Sequence, residues 1–336
     1  MECCVSTAVC YLVSCYLLLR LLCLIFGDAD FPLLWARVFG SRPESVLRGQ
    51  VVWITGASSG IGEELAYQLA KCGSRLVLSA RRQSELTRVK QACLERSDLQ
   101  DEDVLVLPLD LLDRPSHENK TSTVLQHFGR IDMLINNGGR TQRSLFLETN
   151  LDVMEALMEL NFLGTLSLTK QVLPHMTRRG TGTLVTVSSV VGLMGVPLSS
   201  GYSASKHALQ GFFDSLRLEL LSYPNILVST VSPGPVQSQI VQNAFREQMD
   251  KSPSNVASQE HKMATSRCVS LMLAGIANGL KDMWIAQQPF LAMYYISCYA
   301  PSLAAVIMNR LSRQRIENFK AGLDADSTYF SKPKTS

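Results

Sequence analysis

Tyr202-Ser203-Ala204-Ser205-Lys206 places a phenol and an amine four residues apart. On a helix such a pair projects from one face. A free phenol has a pKa of about 10, poor for proton exchange near neutrality, and a nearby ammonium lowers it. The pair can then trade a proton with a substrate oxygen while a hydride moves to or from the adjoining carbon. Tyr-x-x-x-Lys by itself is common and most often structural. Its weight here comes from Ser188-Ser189, which close a β-branched run upstream, and from a glycine-rich turn near the start of the same region.

That turn is Thr55-Gly56-Ala57-Ser58-Ser59-Gly60-Ile61-Gly62. It follows the apolar run Val51–Thr55 and opens a helix expected over Glu63–Cys72. Glycines let the backbone turn tightly against a pyrophosphate, and the helix N-terminus favours the anion. The spacing is G-x-x-x-G-x-G, with Gly56, Ser58, Ser59, Gly60, Ile61 and Gly62 as contact candidates. About 20 residues onward, NAD-binding proteins place an acid on the ribose hydroxyls. Here Ser79-Ala80-Arg81-Arg82 has none. Arg81 and Arg82 suit a 2′-phosphate, which points to NADPH over NADH as cofactor. Asp110-Leu111 can meet an adenine, and Asn137-Gly138 can receive a ribose.

These residues need a scaffold, and the apolar pattern supplies one. Val51–Thr55, Arg75–Ser79, Val104–Leu109, Ile131–Asn136, Gly182–Ser188, Ile226–Ser232 and Met283–Ala286 read as strands separated by helical stretches. Strand and helix in alternation predict an α/β fold, a doubly wound parallel sheet of Rossmann type in a single domain over 50–288.

Taken together, TGASSGIG, NNGG, Ser-x12-Tyr-x3-Lys and Pro233-Gly234-Pro235-Val236 resemble the short-chain dehydrogenase/reductase superfamily over about residues 50 to 290. The resemblance implies that Tyr202 is the acid/base, that Lys206 tunes it and holds the nicotinamide ribose, and that Ser189, more than Ser188, binds the substrate oxygen. It implies that Asn161 serves a proton relay and that Val236 and Ser238 meet the nicotinamide side of the cofactor. It also implies a homodimer paired through the helices carrying Asn161 and Tyr202. The chain departs from the family pattern in NNGG for NNAG and in Ser238 for threonine. With the features below, the resemblance implies NADPH-linked reduction of lipophilic ketones and aldehydes such as steroids and retinoids. Alcohol oxidation by the same residues is the first alternative, and a low-turnover nucleotide-binding scaffold the second.

Hydrophobic residues make up 46% and charged residues 18% of the 336. The charged share is below the roughly 25% of ordinary soluble proteins, which hints at membrane contact. A net charge of +3 is too balanced for a nucleic-acid partner. Cys3, Cys4, Cys10, Cys15 and Cys23 crowd the start and the other four are scattered, so neither a metal site nor a disulfide framework is expected.

Val5 to Phe26 carries one charge, Arg20. As a helix it would run about 33 Å, enough to cross a hydrocarbon core of about 30 Å. It lacks the basic lead of a cleaved signal peptide, so residues 1–28 are expected as a retained single-pass anchor, with 29–49 as a linker, and the resemblance implies the endoplasmic reticulum membrane. Arg37, Arg42 and Arg48 follow the segment and favour a cytosolic domain; sugar on Asn119, in Asn119-Lys120-Thr121, would reverse that orientation. Residues 289–336 form a C-terminal extension. Its uncharged run Phe290–Met308 is interrupted by Pro301, which predicts two short helices roofing the substrate pocket and dipping into membrane lipid.

Overall fold

The computed structural model describes residues 2–248, 259 and 262–323, and within the first helix the side chains from Val9 onward except Leu24. Seven strands form one all-parallel sheet: β1 Val51–Thr55, β2 Arg75–Ser79, β3 Val104–Val106, β4 Met133–Asn136, β5 Gly182–Val187, β6 Ile226–Pro233 and β7 Asp282–Ile285. Their order is β3-β2-β1-β4-β5-β6-β7. β3 is shorter than expected because Pro108 has no N–H to pair; Leu107 and Leu109 still reach Leu78 and Ala80 by single backbone bonds.

The helices are α1 Glu2–Phe26, α2 Phe31–Phe39, α3 Pro43–Val46, α4 Gly60–Lys71, α5 Gln83–Glu95, α6 His117–Phe128, α7 Leu151–Met158, α8 Gly164–Arg179, α9 Ser200–Glu219, α10 Thr265–Ala277, α11 Phe290–Tyr299 and α12 Pro301–Lys320. They cover both faces of the sheet, so each strand buries both its side-chain sets. Val52, Ile54, Leu76 and Leu78 pack with Leu65 and Leu69 of α4 on one face. Val51, Trp53 and Val77 pack with Leu168 of α8 and Phe213 of α9 on the other. The buried Trp53 indole donates to Ser79 Oγ at 2.9 Å, which satisfies its N–H.

The stretch 29–49, expected as a linker, is folded onto the domain. The Asp30 N–H donates to the Trp284 carbonyl at 3.0 Å, Arg267 pairs with Asp28 at 2.7 Å, and α2 buries Leu33 and Ala36. A row of rings, Tyr16–Phe31–Trp35–Phe39, runs from α1 along α2. Arg20 lies over the rings of Tyr16 and Phe31. Among the described residues, no helix is long and apolar enough to cross a membrane. Part of the expected anchor lies outside the described side chains. α11 and α12 meet at Ala300, the break that Pro301 predicts.

Candidate active site

Strand order reverses between β1 and β4, and the crevice at their carboxyl ends is where such sheets take nucleotides. Gly56, Ser58, Ser59, Gly60, Ile61, Arg81, Arg82, Asp110, Leu111, Asn137, Gly138 and Ser238 all line this cleft. Gly62 does not; a Cβ there would stand 2.2 Å from the Gly56 carbonyl, so it permits close packing beneath the turn. Gly60 has φ +57°, and a Cβ on it would fall 3.1 Å from Ser238 Cβ, so the turn needs glycine to lie this close to that residue. The cradle therefore fits a dinucleotide. Asn137 Nδ2 donates to the Thr55 carbonyl at 3.0 Å and clamps β4 to the glycine turn.

Arg81 and Arg82 line the cleft, with Arg82 donating to Ser58 Oγ at 3.3 Å. Asp110 is the one acid among the described lining residues, and one of its oxygens accepts from the Leu112 N–H at 3.0 Å. Arg140, which carries no motif, joins the same cleft, fixed over the Phe245 ring at 3.6 Å.

A second cavity adjoins the first and shares Ile61, Asn137, Gly139 and Ser238 with it. Tyr202, Lys206 and Ser189 line it, as does Val236. The Ser189 hydroxyl favours the ionised form of Tyr202. Ser189 Oγ also donates to the Pro233 carbonyl and accepts from the Val191 N–H, each at 3.3 Å. Ser188 turns to brace α9, its hydroxyl donating to the Lys206 carbonyl at 3.2 Å, which separates the two serines.

Asn161 is 0% exposed and stands in a π-helical turn, Glu159–Leu163, between α7 and α8. The wider turn is a common feature of functional sites. Its carboxamide accepts from the Arg140 N–H and donates to the Arg140 carbonyl, both at 2.9 Å, and donates to Ser205 Oγ at 3.0 Å. It thereby ties the strand-end loop to α9. Gly139 is required at that loop, since a Cβ there would approach Asn161 Oδ1 to 2.9 Å and Lys206 Nζ to 3.8 Å. At the departure from NNAG, a Cβ on Gly138 would meet Leu111 Cδ1 at 2.8 Å, so glycine suits this leucine.

The electrostatics differ from the expected acidic phenol. Burial raises the Tyr202 pKa, and the Ser189 hydroxyl and the charge of Arg143 only partly offset it. Burial also lowers the Lys206 pKa, to about 8. Both groups have lost water, which penalises whichever form is charged. Lys206 Nζ donates to the Val187 carbonyl at 2.9 Å.

A family model for short chain dehydrogenases matches residues 50–249. The chain belongs to that family. A human protein, dehydrogenase/reductase SDR family member 7, is 58% identical over 96% of each chain. A Drosophila melanogaster family protein 7-like is 37% identical over 82% of this chain and 84% of its own. Among solved structures, levodione reductase aligns with a TM-score of 0.62 at 27% identity, over 69% of this chain and 91% of that one. An alcohol dehydrogenase from Thermococcus sibiricus, complexed with 5-hydroxy-NADP, has a TM-score of 0.61 at 22% identity and shares the fold, over 72% of this chain and 97% of its own.

Three basic residues of this short-chain dehydrogenase carry no sequence signal. Arg143, Lys262 and Arg315 come from three separate segments and meet at the second cavity. Arg143 is held by the Gln142 carbonyl at 2.9 Å and Ser199 Oγ at 3.1 Å. The loop Gln237–Lys262 lies in part outside the described residues. No cluster of potential metal ligands occurs among the described residues.

Proposed function

We propose that this protein is a membrane-anchored, NADPH-dependent reductase of lipophilic ketones and aldehydes. The observation that carries the reading is that Ser189, Tyr202 and Lys206 line one largely apolar cavity adjoining the nucleotide cleft. Bound cofactor would supply a hydride to the carbonyl carbon. Ser189 then orients and polarises the carbonyl oxygen, and Tyr202 donates its proton to it. A phenol kept neutral by burial suits the donor role, since the proton is still present at neutral pH. Lys206 and Asn161 hold the nicotinamide ribose and a reprotonation route, and Arg81 with Arg82 binds the 2′-phosphate.

The wall of the cavity supports a lipophilic substrate. Val190, Met194, Phe290, Met293, Met308 and Leu311 face it, so α11 and α12 form its roof. Membrane attachment is supported by Val5–Phe26, with one charge in 22 residues, and by exposed Trp35, Phe39, Tyr299 and Val306 nearby in the fold. In this reading residues 1–28 hold the enzyme at the endoplasmic reticulum membrane, with its domain on the cytosolic side.

The test is a reductase screen on membranes holding the wild-type or Tyr202→Phe protein. Lipophilic aldehydes and ketones are offered with NADPH and, separately, NADH. Carbonyl-dependent oxidation of NADPH by the wild type, absent in the variant, supports the reading. Equal turnover by both proteins, or none by either across the panel, overturns it.

A further inference from the structure

We propose that Gln142 is a positioning residue for the reaction: its carboxamide caps the helix that carries Tyr202 and so sets where the phenol hydroxyl stands in the cavity. This rests on the reductase reading and adds to it a residue that acts through the helix rather than on the substrate.

The first N–H groups of a helix have no partner within it, and the side chain just before the helix ordinarily accepts from the second or third of them. α9 begins at Ser200, so Ser199 holds that place, yet its side chain makes no capping bond. The Ser199 hydroxyl donates instead to the Gln142 carbonyl at 3.2 Å. The cap comes from the loop after β4. Gln142 Oε1 accepts from the Gly201 N–H at 2.9 Å and from the Tyr202 N–H at 3.4 Å. These two are the second and third residues of α9.

The carboxamide is held in that role from both ends. Gln142 is 0% exposed, and its Nε2 donates to Ser144 Oγ at 3.1 Å. Two N–H donors at one end and a hydroxyl at the other fix which atom is the oxygen. A buried amide bonded at both ends keeps one orientation. The backbone beside it is pinned as well, the Arg143 N–H donating to the Phe245 carbonyl and the Phe245 N–H to the Thr141 carbonyl, each at 2.9 Å. Gly201 completes the fit. A Cβ there would stand 2.4 Å from Met154 Sδ of α7 and 3.1 Å from Gln142 Oε1, so glycine lets the end of α9 lie against both.

Tyr202 therefore stands in the first turn of its helix, where fraying begins, and that turn depends on a side chain from another segment. Thr141 and Arg143 line the cavity, whereas Gln142 between them does not. Lys206, one turn further along, is tied to the sheet through the Val187 carbonyl at 2.9 Å. Loss of the cap thus loosens the phenol while the amine stays anchored. The reaction itself is unchanged: the carbonyl carbon gains the hydride of the reduced nicotinamide and its oxygen gains the Tyr202 proton. That proton transfer needs the hydroxyl within hydrogen-bond reach, and a misplacement of about 1 Å can cost about 10²-fold.

The experiment replaces Gln142 in the full chain by methionine, which matches its length but lacks the oxygen, and by glutamate, which keeps it. In the glutamate variant the Ser144 hydroxyl can turn to donate. With NADPH and one lipophilic aldehyde, Gln142→Met should lower kcat about tenfold or more and leave KM and the NADPH dissociation constant within about twofold. The solvent deuterium isotope effect on kcat should grow, because proton donation has become slower. Gln142→Glu should recover most of kcat and the wild-type isotope effect. An unchanged kcat in Gln142→Met overturns the proposal. So does a fall in kcat that keeps the wild-type isotope effect, or that glutamate does not recover, since either marks loss of folded protein rather than displacement of the phenol. If the wild type reduces no aldehyde, the reductase reading falls, and amide hydrogen exchange decides the cap by itself. Faster exchange at Gly201 and Tyr202 in Gln142→Met, restored in Gln142→Glu, supports it; exchange equal to the wild type overturns it.

Discussion

Lys206 Nζ lies 5.8 Å from the centre of the Tyr202 ring and donates to the Val187 carbonyl, so the amine flanks the phenol within one buried chamber. Burial has moved the two pKa values apart: the phenol is raised and the amine lowered to about 8. Below pH 8 the amine is charged and Tyr202 holds its proton. Above pH 8 the ammonium is lost while the phenol remains neutral. NADPH-dependent reduction should therefore decline on an alkaline limb near pH 8 that belongs to Lys206. A kcat/KM profile against pH checks this. Lys206→Arg, whose guanidinium stays charged, should remove that limb even though its geometry lowers the rate; a limb unmoved in this variant would assign it to another group.

Ser189 offers a sharper separation of roles. Its hydroxyl donates to the Pro233 carbonyl and accepts from the Val191 N–H, which fixes it at the wall of the cavity that Tyr202 also lines. Ser189→Ala should cut kcat by about 10²-fold, the usual cost of losing one oxyanion-type donor. Ser188→Ala should leave the chemistry nearly intact, since the Ser188 hydroxyl is spent on the Lys206 carbonyl. Steady-state rates on one aldehyde, with cofactor affinity measured by fluorescence, distinguish the two serines. Similar losses in both would show that the carbonyl oxygen is not held at Ser189.

The strands and the glycine turn could be read in the sequence because a doubly covered parallel sheet demands continuous apolar runs, and Val51–Thr55 and Arg75–Ser79 match theirs to the residue. Arg143, Lys262 and Arg315 could not, since each looks like a solvated cation in its own segment and only tertiary packing brings them to one cavity. The π turn at Asn161 was equally silent, because one extra residue in a helical turn leaves no compositional mark. Residues 29–49 read as a tether because their contacts, Asp28 to Arg267 and Asp30 to Trp284, join segments more than 200 positions apart.

Arg81 and Arg82 stand where an acid would bind a ribose diol, and Asp110 is the one acid among the described lining residues of the cleft. Replacing Arg82 with alanine should weaken NADPH about 10-fold or more, consistent with about 1.5–3 kcal/mol for a hydrogen bond to a charged group. NADH affinity should change little. The preference is read from the ratio of dissociation constants, and an equal loss for both cofactors would place Arg82 at the pyrophosphate or in the fold.

Asp30 makes a prediction about stability. Its carboxyl is buried at the junction of α1 and the sheet, and Oδ1 has no hydrogen-bond partner among the described residues. Burial raises its pKa from 3.8 to about 7, and backbone N–H groups offset this only in part. A raised acid binds a proton in the folded state that the unfolded chain has already released, so folding stability falls as pH rises from about 4 to about 7. A shift of about three units corresponds to a cost on the order of 4 kcal/mol above pH 7. Asp30→Asn keeps the shape and the acceptor but removes the charge. The variant should therefore melt higher than the wild type at pH 8, with a gap that narrows at pH 5 and vanishes near pH 4. Thermal melts of both proteins across that range check it, and a gap independent of pH would show that Asp30 is not held as a neutral acid in the fold.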